Sequence, residues 1–242
     1  IERLYPERVD GQLGLLAHHW ERAGETTRSV DYLQRAAEHA AAQYANDEAL
    51  AYLARALALT PESDRQTQYT LLIRRVVVYD RIGARDAQHT DLRRLREVAE
   101  ALDDDTPAAK RRLAHVALHK TQLYEHILSV EDLVAAAQRA IRLAQSAGAP
   151  ALEAKGRTAW GVALTQTGDP TGAHRQWQLA LKLARSAGDR QVEAGVLRTL
   201  GLSDVISWEE AKTYLEENLL IQQEIGNRAE EGAAWNALAD AA

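Results

Sequence analysis

One segment of this chain occurs twice at a fixed distance, and that repetition restricts the fold more than any other feature. Ala140, Ile141, Leu143, Ala144, Ser146, Ala147 and Gly148 return forty residues later as Ala180, Leu181, Leu183, Ala184, Ser186, Ala187 and Gly188, and a weaker form recurs over 219–226. Gly161 and Gly201 keep the same spacing. Within each copy the apolar residues recur at three and four, the period of an amphipathic helix. A helix pair of this kind cannot bury its apolar stripe alone, and stacking on the next pair buries it.

The breaks between helices are marked by residues with a physical reason to be there. Pro6, Pro61, Pro107, Pro150 and Pro170 all fall where a helix should begin or end, since a proline in the first turn sacrifices an N–H that had no partner. Gly24, Gly83, Gly148, Gly168, Gly188 and Gly226 stand just past apolar segments, where a left-handed closing residue is wanted. Ser207 with Glu210, Ser129 with Asp132 and Asn227 with Glu230 have the spacing of a capping box. No stretch alternates between hairpin signals, and Val76, Val77 and Val78 lie inside a helical pattern. The spacing predicts helices over 9–23, 27–44, 47–59, 63–82, 86–102, 107–125, 131–147, 151–167, 170–187, 190–206, 208–225 and 228 to the end. Short connections make neighbours antiparallel.

Composition narrows the role. Among 242 residues there are 45 Ala and 32 Leu and no Cys, Met or Phe, so thiolate metal sites, iron–sulfur clusters and Cys nucleophiles are excluded. The net charge is −6, which lacks the basic footprint of nucleic-acid binding, and no apolar run is long enough for a membrane span. From Asp204 onward nine acids face only Lys212 and Arg228, whereas the ten cations between Tyr69 and Arg112 are interleaved with eight acids. Neither a phosphate-binding loop nor a His-Glu-x-x-His word occurs. His115 and His119 share a helix face with His126 beyond, yet a third metal ligand cannot be placed. His18 and His19, about 100° apart around a helix, cannot both face one site. Neither a catalytic group, a metal nor a cofactor is expected. Trp160 and Trp177 are expected in the core, Trp208 and Trp235 at the surface. The lack of an initiating Met, and a last apolar stripe of Trp235, Leu238 and Ala239 without a partner, lead to the expectation of a portion of a longer protein.

Trp160, Gly161, Leu164, Gly168, Ala173, Trp177 and Ala180 follow the order of large, small and Ala positions that marks the tetratricopeptide repeat, which the chain resembles. Ala49, Leu53, Ala56 and Pro61 resemble its second helix with a closing proline; Leu16, Ala17, Trp20, Gly24, Leu33 and Ala36 resemble a further unit that overlaps it. The later units are longer and similar to the extended repeats of the maltose-regulon activator type. The words Leu16-Ala17-His18-His19-Trp20, Tyr32-Leu33-Gln34-Arg35-Ala36 and Ala45-Asn46-Asp47-Glu48-Ala49 resemble the opening of the sensor arm of bacterial STAND and related AAA signal-transduction NTPases. The resemblance implies an all-α, right-handed superhelical solenoid of antiparallel helix pairs. Over 1–242 it implies a single array: sensor-arm repeats over 1–61, divergent repeats over 62–128, where no Gly stands near His119, and extended repeats over 129–242.

Function follows from the same resemblance. It implies a cytoplasmic, non-catalytic protein-interaction or ligand-sensing arm, covalently linked to an NTPase or cyclase domain outside this chain; the alternative is a free-standing scaffold that binds a peptide or itself. A protein or peptide would occupy a concave groove lined by first helices. The motif positions that carry such contacts fall on Lys155, Thr158, Val162, Thr165, Arg198, Leu202, Val205 and Asn236. The Lys and Asn carboxylate clamp of some family members is not reproduced.

Overall fold

A computed structural model of the chain describes residues 10–102 and 105–240. Among them there are twelve α-helices, a short 3₁₀ turn over Asp10–Gln12 and no strand. Pro6 lies outside the described residues. The helices divide into two compact units, residues 1–104 and 105–242, and the boundary falls within the stretch whose repeats diverge most.

The first unit holds α1 (Leu13–Arg22), α2 (Thr26–Ala42), α3 (Asn46–Leu59), α4 (Arg65–Ile82) and α5 (Arg85–Ala101). Each packs on its neighbours in sequence, so α2 covers both α1 and α3. The two overlapping units of the repeat pattern share α2, which is in contact with both of the helices beside it. Leu33 on α2 and Ala49, Leu53 and Ala56 on α3 are buried, and the Ser29 hydroxyl donates to the Ala17 carbonyl at 3.0 Å across the α1–α2 seam. Between α4 and α5 the tie is ionic. Arg75 Nε and Nη2 reach the two oxygens of Asp91 at 2.6 and 2.7 Å, with the Asp91 side chain 7% exposed. Bidentate geometry of this kind satisfies the carboxylate lone pairs that burial would otherwise strand.

The second unit holds α6 (Pro107–His126), α7 (Val130–Ser146), α8 (Pro150–Gln166), α9 (Pro170–Ala187), α10 (Arg190–Gly201), α11 (Trp208–Ile225) and α12 (Arg228–Asp240). Successive helices pack pairwise, and α8 additionally touches both α6 and α10. The first helices of successive pairs therefore line one face. Fixed small residues let the pairs approach closely. A methyl group on Gly161 would lie 2.1 Å from the indole nitrogen of Trp177, and one on Gly201 would lie 2.6 Å from Leu215 Cγ. Thr121 is buried forty residues before Gly161, at the divergent repeat where the expected glycine is missing.

Local signals were honoured at most boundaries. Pro107, Pro150 and Pro170 each occupy a first turn, and all six expected glycines have positive φ. Ser207 caps α11 through the Glu210 amide at 3.2 Å, and Asn227 reaches the Glu230 amide at 3.4 Å. Ser129 differs: its hydroxyl donates to the Asp132 carboxylate at 2.6 Å and leaves the backbone uncapped. Asp64, Thr106, Asp169 and Asp189 are caps that the box pattern, with its carboxylate three residues on, does not find. Tryptophan burial divides as well. Trp177 is buried and Trp208 and Trp235 are exposed as expected, but Trp160 is only half-buried, because the close contact at Gly161 is filled from the opposite helix by Trp177.

Candidate functional site

The first-helix face of the second unit opens into a cavity of about 720 Å³. Its existence traces to the length of α10. The expected helix over 190–206 ends at Gly201, making α10 12 residues long where α8 has 17. Ser203 and Asp204, both turn formers, follow the last turn, and the Ser203 hydroxyl accepts the Val205 amide at 3.5 Å. The chain from Leu202 to Val205 thus bends away as a loop instead of continuing the helical wall. Across from it, Trp177 lies over Gly161 and donates its indole N–H to the Thr158 carbonyl at 3.1 Å, forming the floor.

α10 is held in place from the outer side. Glu193, almost fully buried on α10, accepts from Arg185 Nε at 2.9 Å and from Arg190 Nη1 at 2.7 Å. The same guanidinium groups reach Glu217 and Glu224 on α11. Removing Glu193 would leave two cations without their shared partner and loosen α9, α10 and α11 together.

Five of the eight positions expected from the repeat motif converge on this cavity: Val162 and Thr165 from α8, Arg198 from α10, and Leu202 and Val205 from the loop. Leu202 and Val205 are exposed, at 56% and 40%. The other three do not line it. Lys155 is exposed on α8, Thr158 contributes its carbonyl to Trp177 while its hydroxyl donates to the Ala154 carbonyl at 3.0 Å, and Asn236 is exposed on α12. The motif missed Thr199, which stands inside α10 next to Arg198 but off the motif positions, and it missed Ser203 and Asp204 because the end of α10 could not be read from its pattern.

The chemistry of the lining is specific. The Arg198 and Asp204 side chains are both exposed and make no ion pair or hydrogen bond with any described residue. Thr165 and Thr199 spend their hydroxyl protons on the Val162 and Gly195 carbonyls, at 2.7 and 3.0 Å, so what they offer the cavity is acceptor capacity. A ligand with N–H groups, an apolar side chain and charge matches that set. Lys155 belongs to another neighbourhood: desolvation first, then the positive charges of His119 and Lys155, hold His115 below the ordinary imidazole range. Among the described residues, no three His, Asp or Glu side chains converge as a metal site. No described helix is long and apolar enough to cross a membrane.

No protein-family model matches the chain, and no curated protein matches it in sequence. Its likeness lies in fold. The apo form of RapI superposes with a TM-score of 0.70 at 11% identity, over 91% of this chain and 61% of that one. A signal transduction ATPase with numerous domains (STAND) that has a tetratricopeptide repeat sensor, from Pyrococcus horikoshii, gives 0.65 at 15%, over 100% of this chain and 38% of that one. BtubC (BKLC) from P. vanneervenii gives 0.61 at 14%, over 86% and 82%. The chain thus spans about two fifths of the STAND protein and three fifths of RapI. Its fold is that of tetratricopeptide-type helical repeats.

Proposed function

We propose that the chain is a non-catalytic arm that binds a protein or peptide segment in the groove of its second unit and passes the occupancy to a linked domain. One observation carries this reading: exposed Leu202 and Val205 and the unpaired Arg198 and Asp204 face one cavity whose walls are set by packed helices. Exposed apolar side chains beside unspent charges are what a partner-binding surface presents. The hydroxyl acceptors of Thr165 and Thr199 suit the backbone N–H groups of an extended segment. The likeness to a STAND protein whose tetratricopeptide repeats are a sensor supports an NTPase as the linked domain.

Regulation requires that the ligand bind one state of the arm better than another. The loop from Leu202 to Val205 is the element whose position a ligand would bias, since beyond the closing bonds of Leu202 and Ser203 to the Arg198 and Leu200 carbonyls it joins α10 to α11 outside either helix. The test is selection of peptides from a random displayed library on the immobilised chain, followed by competition with Leu202→Asp and Arg198→Gln. Selected peptides should lose at least tenfold in affinity on both variants, about 1.4 kcal/mol each. Retention of full affinity by both variants overturns the groove as the site.

A further inference from the structure

We propose that the chain forms a two-fold symmetric dimer with a second copy of itself through the outer faces of α9 and α11. The two helices carry opposite charge. α9 holds Arg175, Lys182 and Arg185 and no acidic residue, whereas α11 holds Glu209, Glu210, Glu216, Glu217 and Glu224 against Lys212 alone. Arg185 is spent internally, since it bridges Glu193 and Glu217, and that bridge also ties α9 to α11 on this side of the unit.

What remains is unspent and aligned. Arg175, Leu179 and Lys182 are all exposed and stand at intervals of four and three, one face of a helix. The side chains of Arg175 and Lys182 make no ion pair or hydrogen bond with any described residue. On α11, Glu209, Glu216 and Leu220 are exposed at intervals of seven and four, again one face, and Leu220 is 59% exposed. Glu216 has only a loose contact with Lys212 at 3.7 Å between two exposed side chains, an arrangement of little energetic weight. Each helix therefore presents one large apolar side chain among charges of one predominant sign, with Lys212 the one cation beside the acidic face, and the predominant signs are opposite.

A two-fold axis lying in the plane of this face, between the two helices and along them, lays α9 of one copy on α11 of the other and repeats the same contact on the other side of the axis. That is the self-complementary condition of a closed two-fold interface. Like charges would oppose one another if α9 met α9, so the register is specified by repulsion as well as attraction. Two 18-residue helices, each about 27 Å long, cover roughly 1,000 Å² in total, the low end of specific interfaces. The dimer is accordingly weak and salt-sensitive.

Sedimentation of the whole chain against concentration, in 50 mM and 500 mM sodium chloride, reads it directly. The expected result is a dimer at low salt whose dissociation constant rises at least tenfold at high salt. Arg175→Glu with Lys182→Glu makes both faces acidic, and Glu209→Lys with Glu216→Lys makes both basic. Each variant should be monomeric with an unchanged circular dichroism melt, and an equimolar mixture of the two should dimerise again. A wild-type chain that stays monomeric at low salt overturns the proposal, as does a dimer indifferent to these charges or a mixture that fails to reassociate. A monomer whose α9 face instead retains polyglutamate overturns it in favour of a foreign acidic partner.

Discussion

The two units solve the same packing problem with different means. In the first, helices α4 and α5 are joined by a buried bidentate Arg75–Asp91 pair, and Gln88 and Ser29 add further buried polar contacts. In the second, α8 and α9 meet where Gly161 gives its place to Trp177, with buried Ala154, Ala173 and Ala180 around them. The polar solution fixes which side chains must pair but tolerates variation in the backbone. The small-residue solution fixes backbone approach, and so leaves a repeat visible in sequence. The difference explains why the forty-residue period is clear in 129–242 and faint before it.

Substitutions at the two seams should break that contrast in order of size. Asp91→Ala leaves the part-buried Arg75 guanidinium without its partner and should cost about 3 kcal/mol, the low end for a broken buried pair, read from urea denaturation of the whole chain. Replacing both Arg75 and Asp91 by Leu should recover most of that loss, and no recovery would mean that the pair does more than neutralise itself. Gly161→Ala comes next. The added methyl must displace a buried indole and its hydrogen bond to Thr158, at about 2–3 kcal/mol, despite the better helix propensity of alanine.

Smaller effects sharpen the comparison by running in the stabilising direction. Leu128, at φ 56, closes α6 in the left-handed region, where an L side chain is strained. Leu128→Gly should gain about 1 kcal/mol. Tyr44 has the same backbone in the first unit at φ 59, but its ring lies 5.4 Å from the Arg81 guanidinium, so Tyr44→Gly should gain less than Leu128→Gly. Gly195→Ala is the smallest. Nothing lies within 4 Å of a methyl group there, so it should stabilise α10 by about 0.5–1 kcal/mol. Equal responses at Gly195 and Gly161 would show that close approach is not what the second unit requires.

Much of the lining of the candidate cavity was legible because it sits on helix positions that the repeat motif addresses. Val162 and Thr165 lie on a regular helix, and Arg198 on the next, so a shared register carried them to one cavity. Asp204 was readable only as a member of the acidic end, since the turn formers Ser203 and Asp204 are outweighed by the apolar spacing that runs past them. The expected helix to 206 spans Leu202, Val205 and Ile206, whose apolar spacing imitates a continuing stripe. The mixed charges between Tyr69 and Arg112 were similarly opaque: sequence shows interleaved signs, and only packing selects Asp91 for Arg75.

Helix identity, its ends at proline and glycine, and the pairing of neighbours were determined by the sequence alone. Those features depend on a few adjacent residues, through a missing N–H, a permitted left-handed φ or a capping oxygen. The tertiary structure decided which indole fills the space over Gly161, which carboxylates the arginines reach, where α10 gives way to the loop that opens the cavity, and that the contacts part after Asp104. Each of these depends on residues brought together from distant positions, where burial and desolvation, not local conformational preference, set the energy.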